Sequence, residues 1–308
     1  MMHDSVFIPA CFTSATKPSS NEASAITRSG QSLILSIYEA NINGHHSTIT
    51  ISWYKTFLLH GFSVSIVGAE GGNQNCCEVE LKPGWFRRKQ GQKYITKNGE
   101  TIGVAWDLTG AKFDGQTEPQ SDFYVAIVCD AEVILLVGDQ KKHAYRRTGC
   151  RPSLQDPVFV AKREHVFGKK KFTTLFKFHQ DGHFHEITIE CTNSVRHESN
   201  DVHDQEMAIR IDGELYVLVK HLQWNFRGNS LINVDNARVE LCWDVHNWLF
   251  GTGLRNAVFV FKSAPLCISA LQECSPSLSL SSEYTKEEGY DANGVSGLCL
   301  SVYAWRVD

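Results

Sequence analysis

Residues 179 to 190 read HQDGHFHEITIE, the spacing in this chain most suited to metal chemistry. On an extended strand His183 and His185 project to one side, because side chains alternate. Two imidazoles with a carboxylate form a sound donor set for Zn, Fe or Mn. Glu190, however, stands an odd number of residues from both histidines, so an unbroken strand turns it to the opposite face. No further motif supplies a third histidine. The metal reading rests on His183 and His185 alone, against the plainer reading of solvated hairpin histidines. The sequence implies no cofactor.

Basic charge is the second candidate. Between Lys82 and Lys177 stand 18 lysines and arginines against 10 acids, whereas the rest of the chain has 12 against 24. The clusters are Arg87, Arg88 and Lys89; Lys141, Lys142, Arg146 and Arg147; and Lys169, Lys170 and Lys171. Basic runs often serve only as solvated turns. Their functional reading is a patch for an anionic lipid surface, RNA or an acidic protein. No RRM, KH or helix-turn-helix pattern supports nucleic acid specifically. No P-loop or GxSxG stretch occurs, and GTG at 251 to 253 lacks the third glycine of a dinucleotide fingerprint. Ten cysteines without a CxxC pair argue against a zinc ribbon or a disulfide framework.

The elements that must carry these residues have a period of two. LILSIYEA, STITISWYK, FSVSIVG, CEVELK, TIGVAWDL, DFYVAIV and EVILLVG follow one another between turn residues, and VFVAKREHVF to AVFVFKS resume the pattern. Short strands with local turns and no long helical pattern predict an all-β fold of antiparallel meanders. Several landmarks recur at a nearly constant offset. GHHSTITI matches GHFHEITI 138 residues later, Trp106, Asp107 and Phe113 precede Trp243, Asp244 and Phe250 by 137, and Trp85 precedes Trp224 by 139. We expect two tandem halves, each a lipocalin-like barrel or a flattened β-sandwich. A disordered arm spans 1–30, the first repeat 31–140, a basic linker segment 141–157 whose first half could form a short helix, and the second repeat 158–308, with a Ser-rich loop at about 275–290 and a C-terminal strand. In each repeat the Trp is expected to anchor a core and the Asp to cap the following turn.

The segments ELKPGWFRRKQG, VAWDLTGAKF, EPQSDFYVAIVCDAEVILLVGDQKKHAYRRT, KREHVFGKKKF, LQWNFRG, VELCWDVHNWLFG and LSVYAWRVD resemble a plant family catalogued as domain of unknown function 868. The resemblance covers roughly residues 30 to 308. It implies a plant source, but no activity and no catalytic residues. With 42% apolar and 21% charged residues and no apolar run of about 20, the chain reads as soluble, and as cytoplasmic or also nuclear. The expected function is noncatalytic: binding of an apolar small molecule, an acidic protein or an anionic lipid surface. The alternative is a barrel enzyme, metal-dependent or a cofactor-free isomerase or cyclase.

Overall fold

The computed structural model describes residues 32–56, 60–68, 75–81, 89–97, 100–168, 170–194, 204–253, 255–263 and 297–306. Alternating sequences become strands here for the usual reason: one side of each strand meets a core while the other meets solvent or a second layer. The first eight strands are β1 (Ser32–Ile42), β2 (His45–Lys55), β3 (His60–Gly68), β4 (Asn75–Leu81), β5 (Gln90–Lys97), β6 (Glu100–Asp107), β7 (Tyr124–Cys129) and β8 (Glu132–Gly138). Helix α1 (Lys141–Thr148) and the two-residue β9 (Arg151–Pro152) follow. The second half holds β10 (Val158–Phe167), β11 (Lys171–Phe176), β12 (His185–Ser194), β13 (Asp204–Ile211), β14 (Glu214–Val219), β15 (Arg227–Val234) and β16 (Ala237–Asp244). Helix α2 (His246–Phe250), β17 (Arg255–Ser263) and β18 (Cys299–Arg306) complete it.

These strands form three open sheets. A nine-stranded sheet runs β15-β16-β17-β18-β10-β1-β2-β3-β4, a five-stranded sheet β5-β6-β7-β8-β9, and a four-stranded sheet β11-β12-β13-β14. None closes on itself, so the barrel alternative gives way to flattened sandwiches. The reason lies in edge pairing: β1 gives its free edge to β10 and β8 gives its own to β9, so β1 and β8 do not pair with each other.

Both smaller sheets lie on one face of the large one. Ile34, Glu164 and Val302 form a single transverse row across β1, β10 and β18. Ile34 packs on the first core and Val302 belongs to the second. The first core stacks Trp53, Phe62, Trp106 and Phe123 between β1–β4 and β5–β8. The second packs Phe172, Phe176, Phe259, Phe261 and Trp243 between β11–β14 and β15–β18. Over the described residues both interiors are lined by buried hydrophobic side chains.

All six residues of β7 are buried. Val125, Ile127 and Cys129 face the first core, and Tyr124, Ala126 and Val128 lie under α1. The segment expected to be a basic linker thus contains a helix lying on the outer face of the five-stranded sheet and a strand that pairs with β8. The 1–30 arm and the Ser-rich loop lie outside the described residues.

Candidate functional site

Helix α1 is anchored by one small residue. Ala144 is fully buried against Ala105, Tyr124 and Val128. Asp139, just before the helix, pins the chain by accepting the N–H groups of Asp122 and Phe123, each at 3.0 Å, and these bonds hold its carboxyl below the usual range. Gly149, in the left-handed region at φ 67, ends the helix by donating its N–H to the Tyr145 carbonyl. Lys141, Lys142, Arg146 and Arg147 are all exposed. Arg146 and Arg147 suit the C-terminal end of the helix dipole, but Lys141 and Lys142 stand in a first turn that has no acid. Cations there oppose the dipole, so helix stability does not account for them.

Along this face Tyr94, Gly103, Val128, Val133 and Pro152 form one transverse row. Tyr94 is 66% exposed, and Leu154, two residues beyond Pro152, is 93% exposed. Near the start of α1, His143 lies 3.6 Å from Asp107, and Lys89 leads into β5 opposite that aspartate. Lys170 and Lys171 belong to the other sandwich, where Lys171 faces Glu190 at 3.7 Å. Trp85, Arg87, Arg88 and Lys169 lie outside the described residues.

The histidine segment has a different geometry. His183 is in the loop before β12 and His185 is the first residue of that strand, yet their rings come within 4.2 Å. His185 is buried at 3% exposure, against Phe178. It is therefore not a solvated hairpin residue. Two aspartates from hairpin turns meet it. Asp212 and Gly213, at φ 51 and 84, turn β13 into β14; Asp235 and Asn236, at φ 46 and 48, turn β15 into β16. Positive φ at both central positions is the type I′ pattern, in which Asp, Asn and Gly are favoured.

The Nδ1 of His185 lies 2.7 Å from Asp212 Oδ2, whose Oδ1 accepts the Glu186 N–H at 2.8 Å. Asp235 Oδ2 lies 3.2 Å from His185 Nε2 and 3.0 Å from His183 Nε2. Burial acts to raise the Asp212 carboxyl, but its hydrogen bonds from His185 and the Glu186 N–H outweigh this and hold it below the usual range. Glu190 is at Lys171, not in this cluster. In the first half Ser47, the counterpart of His185, is buried and donates to the His45 carbonyl.

Trp106 and Trp243 are both buried, each over a glycine directly opposite on the neighbouring strand, Gly91 and Gly228. Trp243 donates Nε1–H to the Asn225 carbonyl at 3.2 Å, while Trp106 Nε1 finds no acceptor among the described residues. Asp107 Oδ1 accepts the Thr109 N–H and Asp244 Oδ1 the His246 N–H, the same two-residue reach in each half. Phe113 packs on the first core beside Trp53 and His60. Phe250 is half exposed, among Phe226 and His246, and Trp224 is 80% exposed.

Asp212 and Asp235 are the residues that sequence reasoning missed. Both sit in turns readable as hairpins, IDGE and VDNA, but nothing in those four-residue signals says which turns share an end of the sandwich. No curated protein matches this chain, and no solved structure matches it. The family described as plant protein of unknown function (DUF868) matches residues 29–306, and the chain belongs to that family.

Proposed function

We propose that this is a noncatalytic interaction protein that docks the α1 face of its first sandwich on an anionic membrane surface. The observation that carries the reading is the placement of Lys141, Lys142, Arg146 and Arg147 on the exposed side of a helix whose own stability does not require the first two. Exposed Tyr94 and Leu154, at the two ends of the five-stranded sheet that carries these cations, favour a lipid surface over an acidic protein, because a bilayer accepts both charge and apolar side chains. The open sheets lend no support to an enclosed ligand or a barrel enzyme. No helix among the described residues is long and apolar enough to cross a membrane, and the reading requires none. Docking would take place in the cytoplasm, where inner leaflets are anionic; a nuclear pool is compatible with it.

Each cation near an anionic leaflet contributes about 1 kcal/mol. Changing all four to Gln should therefore lower binding to phosphatidylserine vesicles by roughly a thousandfold at low salt. Cosedimentation measures this, and the double variant Tyr94→Ser, Leu154→Ser should weaken the binding that persists at high salt. Equal binding to neutral vesicles, or full binding by the four-Gln variant, would overturn the reading. Retention of RNA by the four-cation face when lipid binding is absent would favour nucleic acid instead.

A further inference from the structure

We propose that His183, His185 and Asp235 form a three-ligand site for a divalent ion of the zinc class, with Asp212 as the positioning residue that orients His185. The site is independent of α1 and belongs to the other sandwich. Its case begins with the spacing of donor atoms. A tetrahedral zinc ion with bonds of about 2.0–2.1 Å separates neighbouring donors by about 3.3 Å. Asp235 Oδ2 stands 3.0 Å from the His183 Nε2 and 3.2 Å from the His185 Nε2, so two of the three donor separations already match such a tetrahedron.

The roles of the two aspartates follow from what each already holds. Both oxygens of Asp212 are engaged, Oδ2 with His185 Nδ1 and Oδ1 with the Glu186 N–H. This is the arrangement in which a carboxylate fixes a metal-bound histidine from behind: it sets the tautomer and turns the opposite nitrogen toward the ion. Burial of His185 against Phe178 restricts the ring further. His183, His185 and Asp212 also place donor atoms within 4.8 Å of one another, a rival triple. We favour Asp235 because its Oδ2 lies between both Nε2 atoms, whereas using Asp212 would break its bond to His185.

The ligands span the two layers. His185 begins a strand of the four-stranded sheet, His183 lies in the loop before it and Asp212 in its β13–β14 turn, while Asp235 comes from a turn of the nine-stranded sheet. A bound ion would clasp the end of the second sandwich. Three protein ligands leave one coordination position open to water or an outside donor.

The test uses the full chain, stripped with EDTA, dialysed, and titrated with Zn2+ by calorimetry and with Co2+ by visible absorption. One equivalent of Zn2+ should bind and raise Tm, and Co2+ should give the strong visible bands of a four- or five-coordinate site. His183→Gln and Asp235→Asn, both at exposed or half-exposed side chains, should each weaken Zn2+ binding at least about 100-fold and remove the Tm shift. Asp212→Asn should weaken it about 10- to 100-fold while leaving one equivalent bound at saturation. Glu190→Gln should change nothing. Absence of Zn2+ binding by the wild type, or binding that survives both His183→Gln and Asp235→Asn, would overturn the site. Loss of all binding in Asp212→Asn with none in Asp235→Asn would overturn this ligand set in favour of the rival triple.

Discussion

His165 lies on β10 with its ring stacked on Tyr303 at 4.8 Å and on Trp305 at 6.0 Å, across the parallel β10–β18 pair. Trp305 Nε1–H donates to His165 Nδ1 at 3.1 Å, so that nitrogen must stay unprotonated for the bond to exist. Burial, helped by Arg163, pushes the imidazole from 6.5 down to about 4. The unfolded chain therefore takes up the proton first. This contribution leaves stability flat above about pH 6.5, lowers it as pH falls toward 4, and is flat again below, with a total on the order of 3 kcal/mol. His165→Gln keeps an acceptor for Trp305 without titrating. Urea midpoints at pH 7.5 and 4.5 should differ less in this variant than in the wild type. A single residue of this kind is hard to read from sequence, since KREHVF shows a histidine in a strand but not the two rings that desolvate it. The cluster of histidines and aspartates was half legible for a related reason. His183 and His185 are close in sequence, while Asp212 and Asp235 reach them only through the pairing of distant hairpins.

Strands β6 and β16 show what alternation can and cannot reveal. Their large rings, Trp106 and Trp243, follow from a period of two, but the glycines beneath them depend on register between strands. Gly91 pairs with Trp106 and Gly228 with Trp243. A Cβ added at Gly228 would collide with the Trp243 ring, which is also held by its bond to Asn225. Gly228→Val should destabilise by about 1–3 kcal/mol through this overpacking. Trp243→Ala should cost about 3–5 kcal/mol as a lost core aromatic. The pair should be clearly less than additive, because once the ring is absent the valine has nothing to displace. Denaturant midpoints for the two single variants and the double variant measure this. Full additivity would mean that the glycine serves the backbone and not the ring. Helix α1 made a different demand on sequence reading: the charged run DQKKHAYRRT allows a short helix, but where that helix lies follows only once the outer face of β7, also apolar, requires a cover.

At the scale of the whole molecule, the all-β class was legible because every layer repeats the same alternation. The choice between barrel and sandwich was not, since closure depends on which strands take the free edges. Strand β10 decides it by pairing with β1 on one side and β18 on the other, making one sheet of nine strands from two halves. The same strand carries the ionic contact between them. Lys162, buried in the row between the two cores, lies 3.0 Å from Glu118 of the first half and 2.6 Å from Glu164, and donates to the Leu175 carbonyl of β11 at 3.2 Å. Thr174 of β11 bonds Glu164 as well. Burial acts to lower the Lys162 ammonium, but Glu164 and Glu118 outweigh it and hold its pKa above the ordinary value. Burial, with Glu118 adding, pushes the nearby Tyr38 hydroxyl up to about 12. Removing one partner of such a group strands the others in a poorly solvated site, which costs more than the pair contributes when intact. Lys162→Met should therefore destabilise by about 3–5 kcal/mol, by leaving two carboxylates without their cation. Adding Glu164→Leu and Glu118→Gln should restore most of that loss, since an uncharged junction of similar volume has no stranded charge. Calorimetry of the wild type, the single variant and the triple variant separates the cases. A triple variant no more stable than Lys162→Met would show that the ions themselves, and not only their mutual compensation, hold the two sandwiches together.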